Sequence, residues 1–145
     1  MKKLYPYSIC VIDIGSPKLG NIGWSLVDNH GTGEWSGQEL DELFPLISDQ
    51  LITGGLLLGL EAPLFVPIRD DLILATKARR GEERRPWSAG AGAQVLAMNL
   101  PIMIYIFEKI IKNAFKTEFV INSEQFSGEI GQTLIFEAFV SGKDK

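Results

Sequence analysis

The 145-residue sequence predicts a single α/β domain spanning residues 1–145, with a mixed sheet flanked by helices in the order β-β-β-α-β-α-β. Three observations predict it. Short apolar runs separated by turn-forming residues open the chain, which is the mark of an antiparallel meander. An almost wholly apolar run at 55–61 reads as a strand covered on both faces. Two stretches with apolar residues at helical spacing lie on either side of that run. Hydrophobic residues make up 46% of the chain and charged residues 22%, which allows a sizeable core and argues against disorder.

Each element follows from local pattern. Residues 8–14 form a buried strand, and residues 20–28 alternate as a second one. Asn29-His30-Gly31 is a hairpin turn in which Gly31 supplies a positive φ, and residues 32–36 complete the meander. Ser36 followed by Glu39 matches a capping box, and Leu40, Leu43, Phe44, Ile47 and Leu51 recur at helical spacing. Pro45 lies inside that pattern, so this helix is expected to start late or to kink. Between Pro63 and Gly92 the chain is polar and punctuated by Pro67, Gly81, Pro86 and Gly90, and so long a connection is expected to be functional or mobile. A helix then runs from Val95 or Asn99 to Lys116, with Glu108, Lys109, Lys112 and Lys116 facing water. TLIFEAFV is the last strand.

Two acids end apolar strands, Asp13 in SICVIDIG and Glu61 in GLLLGLEAP. An ionised carboxylate beside a buried strand is costly unless a partner or cation compensates it. Two such strand ends side by side would offer hard oxygen ligands to Mg²⁺ or Mn²⁺. Taken singly, each acid reads equally well as a solvated strand terminus or a helix N-cap. Glu137 lies within the last strand, where alternation alone leaves open whether it points to the site or to solvent.

The net charge is −4, yet all five arginines, Arg69, Arg79, Arg80, Arg84 and Arg85, fall between residues 69 and 85. Arginine suits phosphate because its fork binds two oxygens at once, and Trp87 beside it could stack on an unpaired base. Asp70, Asp71, Glu82 and Glu83 nearly neutralise the segment, so a solvated surface stretch is the competing reading. His30, in a turn, is expected at the surface. Cys10 is the only cysteine and cannot form an intramolecular disulfide, which makes a reducing compartment the simpler assumption. The N-terminus lacks a signal-peptide apolar core, and the apolar run from Val95 to Phe107 falls short of the roughly 18 residues a membrane span needs. A cytoplasmic protein without a membrane partner is expected.

The segment VIDIGSPKLGNIGWSLVD resembles the opening hairpin of ribonuclease-H-like nucleases, particularly the Holliday-junction resolvase branch and a related group of predicted nucleases. There an aspartate on the first strand is followed by glycine and then by Gly-Trp on the second, a pattern that Asp13, Gly15, Gly23 and Trp24 match. GLEAPL resembles the fourth strand of that family, which gives Glu61 the role of the second metal-binding acid. SAGAGAQVLA resembles the start of its long helix, and IFEAFVSG a later strand with a further acid, here Glu137.

The resemblance implies a hydrolase: a magnesium- or manganese-dependent nuclease acting on DNA or RNA. Asp13, Glu61 and Glu137 would be its catalytic, metal-binding residues, and Arg79, Arg80, Arg84, Arg85 and Trp87 would bind nucleic acid. Asp13 would bridge two cations, Glu61 would ligate one and Glu137 would complete the shell. It also implies a homodimer, for which the apolar early part of the long helix is suited. Family members usually add a last acid from a closing helix after the final strand, and the sequence ends at Lys145 with only Asp144 beyond Gly142. Two alternatives remain open: a non-catalytic scaffold that keeps the fold, and a nucleotide-binding phosphotransferase of the actin and sugar-kinase type. The latter needs a second domain for which the chain has no room.

Overall fold

The computed structural model describes residues 5–80, 82 and 86–138. It is an α/β domain with a six-stranded mixed sheet of the ribonuclease-H-like kind. The strands are β1 (Tyr7–Asp13), β2 (Gly23–Val27), β3 (Glu34–Gly37), β4 (Gly55–Leu60), β5 (Glu118–Val120) and β6 (Gln132–Glu137), and the helices are α1 (Leu40–Thr53) and α2 (Gly90–Asn113). They lie side by side in the order β3-β2-β1-β4-β6-β5. β1, β2 and β3 pair antiparallel, whereas β1, β4, β6 and β5 run parallel, so the C-terminal ends of β1, β4 and β6 meet at one edge. The element order is the expected one with β5 added, a strand of three residues that is too short to show periodicity.

One face of the sheet carries the core. Cys10 and Ile12 of β1, Trp24 and Leu26 of β2, and Leu56, Leu58 and Leu60 of β4 share alternate rows and are buried. Against them pack Leu43, Phe44, Ile47 and Leu51 of α1 with Ile102, Ile106 and Ile110 of α2. Burial pushes the Cys10 thiol up to about 12, so it acts as a small apolar side chain.

Among the described residues no helix lies over the opposite face, yet β4 is covered there too, as expected for 55–61: five of its six residues are buried. Two of the outward positions of β4 are glycines, closed over by neighbours. A Cβ on Gly59 would lie 2.7 Å from the Phe136 ring, and one on Gly55 would lie 2.8 Å from the Gly128 backbone. Ile9 and Leu57 on the same face stay partly exposed.

Three local expectations change. Ser36 is consumed by the β2–β3 ladder opposite Ser25, so no capping box forms; Glu39 is the N-cap of α1 without a side-chain cap bond. Pro45 sits inside α1, which begins at Leu40. α2 starts at Gly90, earlier than Val95, because its glycines admit a close crossing: a Cβ on Gly92 would meet the Pro86 carbonyl oxygen at 2.7 Å. At 24 residues, with a mean hydropathy of 1.5 over its most apolar 18 residues, α2 is long and apolar enough to cross a membrane. The turn at 28–33 is as expected, with Gly31 at φ 63° and His30 exposed.

Candidate functional site

Asp13 is the last residue of β1, and Glu61 directly follows β4. Ile12 stands opposite Leu60 in the parallel ladder, and the Glu61 N–H continues it by donating to the Ile12 carbonyl at 2.8 Å. Asp13 and Glu61 therefore occupy the next row, about 4.8 Å apart along the hydrogen-bonding direction. Both leave the sheet on the face away from the helices. Each is exposed between buried neighbours, Ile12 and Ile14 on one strand, Leu60 and Ala62 on the other. Neither carboxylate has an ion-pair or hydrogen-bond partner among the described residues. Two unpaired carboxylates side by side are a hard-oxygen donor set, which fits Mg²⁺ or Mn²⁺.

The turns that follow fix this corner. After Asp13 the chain folds back so tightly that a Cβ on Gly15 would fall 1.9 Å from the Asn21 carbonyl oxygen, so only glycine fits. After Glu61, Ala62 and Pro63 are buried, and the Asn99 side-chain amide of α2 donates to the Pro63 carbonyl at 3.3 Å.

Glu137 is placed differently. It stands opposite Leu60, one position before the Asp13–Glu61 row, so its side chain leaves on the helix face. Its Oε1 accepts from the Leu64 N–H at 2.6 Å and from Arg79 Nη1 at 2.7 Å. Arg79 also pairs with both oxygens of Glu82 and lies 4.6 Å over the Phe65 ring. All three charged side chains are at most 19% exposed. Glu82 first, then Glu137, holds the Arg79 guanidinium further into its charged range. The structure thus brings Asp13 and Glu61 together and leaves Glu137 in an arginine-centred network. Among the described residues no group of three or more His, Cys, Asp or Glu is arranged to hold a metal ion.

The arginine segment is divided in the same way. Arg79 points into the network, Arg80 is exposed, and Arg84 and Arg85 lie outside the described residues. Trp87 is half-buried with its Nε1 donating to the Lys77 carbonyl at 3.3 Å, and Ser88 Oγ donates to the Thr76 carbonyl. Arg79 and Trp87 therefore organise the connection between β4 and α2. The spacing Arg79-x-x-Glu82 was the available signal, since residues three apart meet within one turn.

Sequence reasoning also passed over a cavity of about 600 Å³ between the β1–β2 loop, the start of α1 and the middle of α2. Ile22, Leu40, Met98, Pro101 and Ile102 give it apolar walls. Ser16, Gln38 and Glu39 line it, and none of their side chains has a hydrogen-bond partner among the described residues. Asp41 and Tyr105 close one side, where the Tyr105 hydroxyl donates to Asp41 at 2.8 Å and Lys109 approaches the same carboxylate at 3.4 Å. The Tyr105 hydroxyl and then Lys109 hold Asp41 below the ordinary carboxylate range. These residues come from three separate segments, so no sequence window contains the cavity.

Compared with known proteins, the chain matches no family model, no curated protein and no solved structure.

Proposed function

We propose that this domain is a metal-dependent phosphodiesterase acting on nucleic acid, with Asp13 and Glu61 as its metal-binding pair. The observation that carries the reading is the shared row of these acids at the ends of adjacent parallel strands, exposed and unpaired among the described residues. A Mg²⁺ or Mn²⁺ ion, when bound, supplies an activated water and neutralises charge on the phosphate. The protein's part is to present two carboxylate oxygens from rigid strands. The tight Gly15 turn and the Asn99–Pro63 bond hold the two strand ends in place. Exposed Arg80, on the connection that leaves the Glu61 strand, is a described arginine available to a phosphate. Glu137 serves as the anchor of Arg79 in this reading, and it would join a cation only by giving up that ion pair.

The test is Mn²⁺ titration and cleavage of single-stranded, branched and hybrid substrates by wild type, Asp13→Asn and Glu61→Gln. Both variants should lose cation binding and cleavage. Equal binding by all three proteins would overturn the reading. A non-catalytic scaffold is the second reading, favoured by the exposed side chains of Ile68, Leu72 and Ile73, each at least 87% exposed on the β4–α2 connection. Such a scaffold would bind no divalent cation at the strand ends.

A further inference from the structure

We infer that the cavity between the β1–β2 loop, α1 and α2 is a nucleobase pocket that prefers bases bearing an exocyclic amino group. The inference rests in part on the nucleic-acid reading of the Asp13–Glu61 corner, because it assigns a base of the bound strand to this neighbouring recess. Four observations carry it.

Its volume of about 600 Å³ falls within the range of small-molecule sites. Its walls are apolar and include Met98, Pro101 and Ile102, surfaces that suit the face of a planar ring. Among the described residues no lysine, arginine or histidine lines it, and Lys109 beside it is already engaged by Asp41, so the lining suits an uncharged ring better than a phosphate. Its charged groups are acceptors: the Glu39 carboxylate has no partner among the described residues, and Asp41 is already engaged by Tyr105 and Lys109. An exocyclic amino group offers two N–H donors to an unpaired carboxylate, whereas uracil or thymine offers a single N3–H flanked by two carbonyl oxygens that the carboxylate repels.

Position links the recess to the corner. Ser16 of the lining follows Asp13 by three residues, on the loop that leaves the β1 strand end. The recess lies on the helix side of the sheet and the two acids leave on the other face, so a base of a strand held at Asp13 and Glu61 would reach the cavity only by passing round the sheet edge at this loop, as an extruded base can.

The experiment is an NMR titration of the full chain, without metal, using cytidine, adenosine and uridine as probes. Cytidine and adenosine should perturb Met98 and Tyr105, with uridine binding about tenfold more weakly, the value of one hydrogen bond to a charged group. Glu39→Ala should erase that preference. Met98→Trp should fill the recess and abolish binding of all three, while Met98→Leu, which keeps the space, should bind as wild type and control for folding. Asp13→Asn should bind nucleosides unchanged, which separates this pocket from the metal reading: loss of cleavage with retained nucleoside binding sinks neither, and retained cleavage sinks only the metal reading. Absence of nucleoside binding at millimolar concentration, equal affinity for uridine and cytidine, or wild-type binding by Met98→Trp would overturn the pocket.

Discussion

The two acidic corners at the end of the parallel strands differ by one residue of register, and that difference separates their chemistry. Asp13 and Glu61 share a row on the face away from α1 and α2, exposed and without partners among the described residues. Glu137, opposite Leu60, turns to the other face and is held by Arg79 and the Leu64 N–H. Side chains alternate along a strand, so a shift of one position moves a carboxylate from solvent into a network. A free pair costs stability through mutual repulsion and can take up a cation. A satisfied acid contributes stability, and Glu137 Oε1 already accepts from Leu64 and Arg79.

The largest test of that contrast is to break the Arg79 network. Arg79→Ala leaves Glu82 and Glu137 facing each other without a cation and removes the stacking on Phe65. With side chains this far from solvent, removing one partner should cost about 2 kcal/mol in urea unfolding, less than for a fully buried pair. The double variant Arg79→Ala, Glu137→Ala should recover part of the loss, since no acid is then left unpaired at that position. Additive losses would mean that the two side chains are not coupled and that Glu137 is free after all.

A smaller effect of opposite sign is expected at the other corner. Without divalent cation, Asp13→Asn should leave the protein as stable or about 0.5 kcal/mol more stable, because it relieves repulsion between carboxylates in adjacent strand positions. Glu137→Gln should keep Mn²⁺ binding while lowering stability. If Glu137→Gln instead abolished Mn²⁺ binding, its carboxylate would have to leave Arg79 and join the pair, and the separation of the two corners would fail.

The sheet and both helices were legible because their apolar residues repeat at periods of two and near three and a half, as in Ile12 with Cys10 and Ile106 with Ile102 and Ile110. The Asp13–Glu61 pair was legible for a related reason: an acid after a buried run marks a strand end, and two such ends in parallel strands meet. Glu137 was not, since its face depends on which β4 residue it pairs with, and that is a tertiary fact. The run at 55–61 is covered on both faces as its composition suggested, but what covers the outer face is also a tertiary fact: Gly128 and Phe136 cross over Gly55 and Gly59. Nor could composition tell that Arg79 and Trp87 would turn inward while Arg80 stayed exposed.

The smallest effect extends the contrast to an acid satisfied by the backbone. Asp28, at the end of β2, accepts from the N–H groups of His30, Thr32 and Gly33 and from the Thr32 hydroxyl, and so ties down the turn that leads into β3. The Thr32 N–H bond first, with the others, lowers its pKa below the ordinary 3.8. A carboxylate whose folded pKa lies below its unfolded one stabilises the fold at all pH values above the unfolded value, and this contribution fades as pH falls through the folded one. Asp28→Asn keeps one acceptor oxygen but loses the charge. The variant should therefore melt a little below wild type at neutral pH, and the two melting temperatures should converge well below pH 3.8. Because Asp28 is at the surface, added salt should shrink the gap as well. A gap that persisted unchanged into acid would assign the effect to the geometry of the turn rather than to the charge on Asp28.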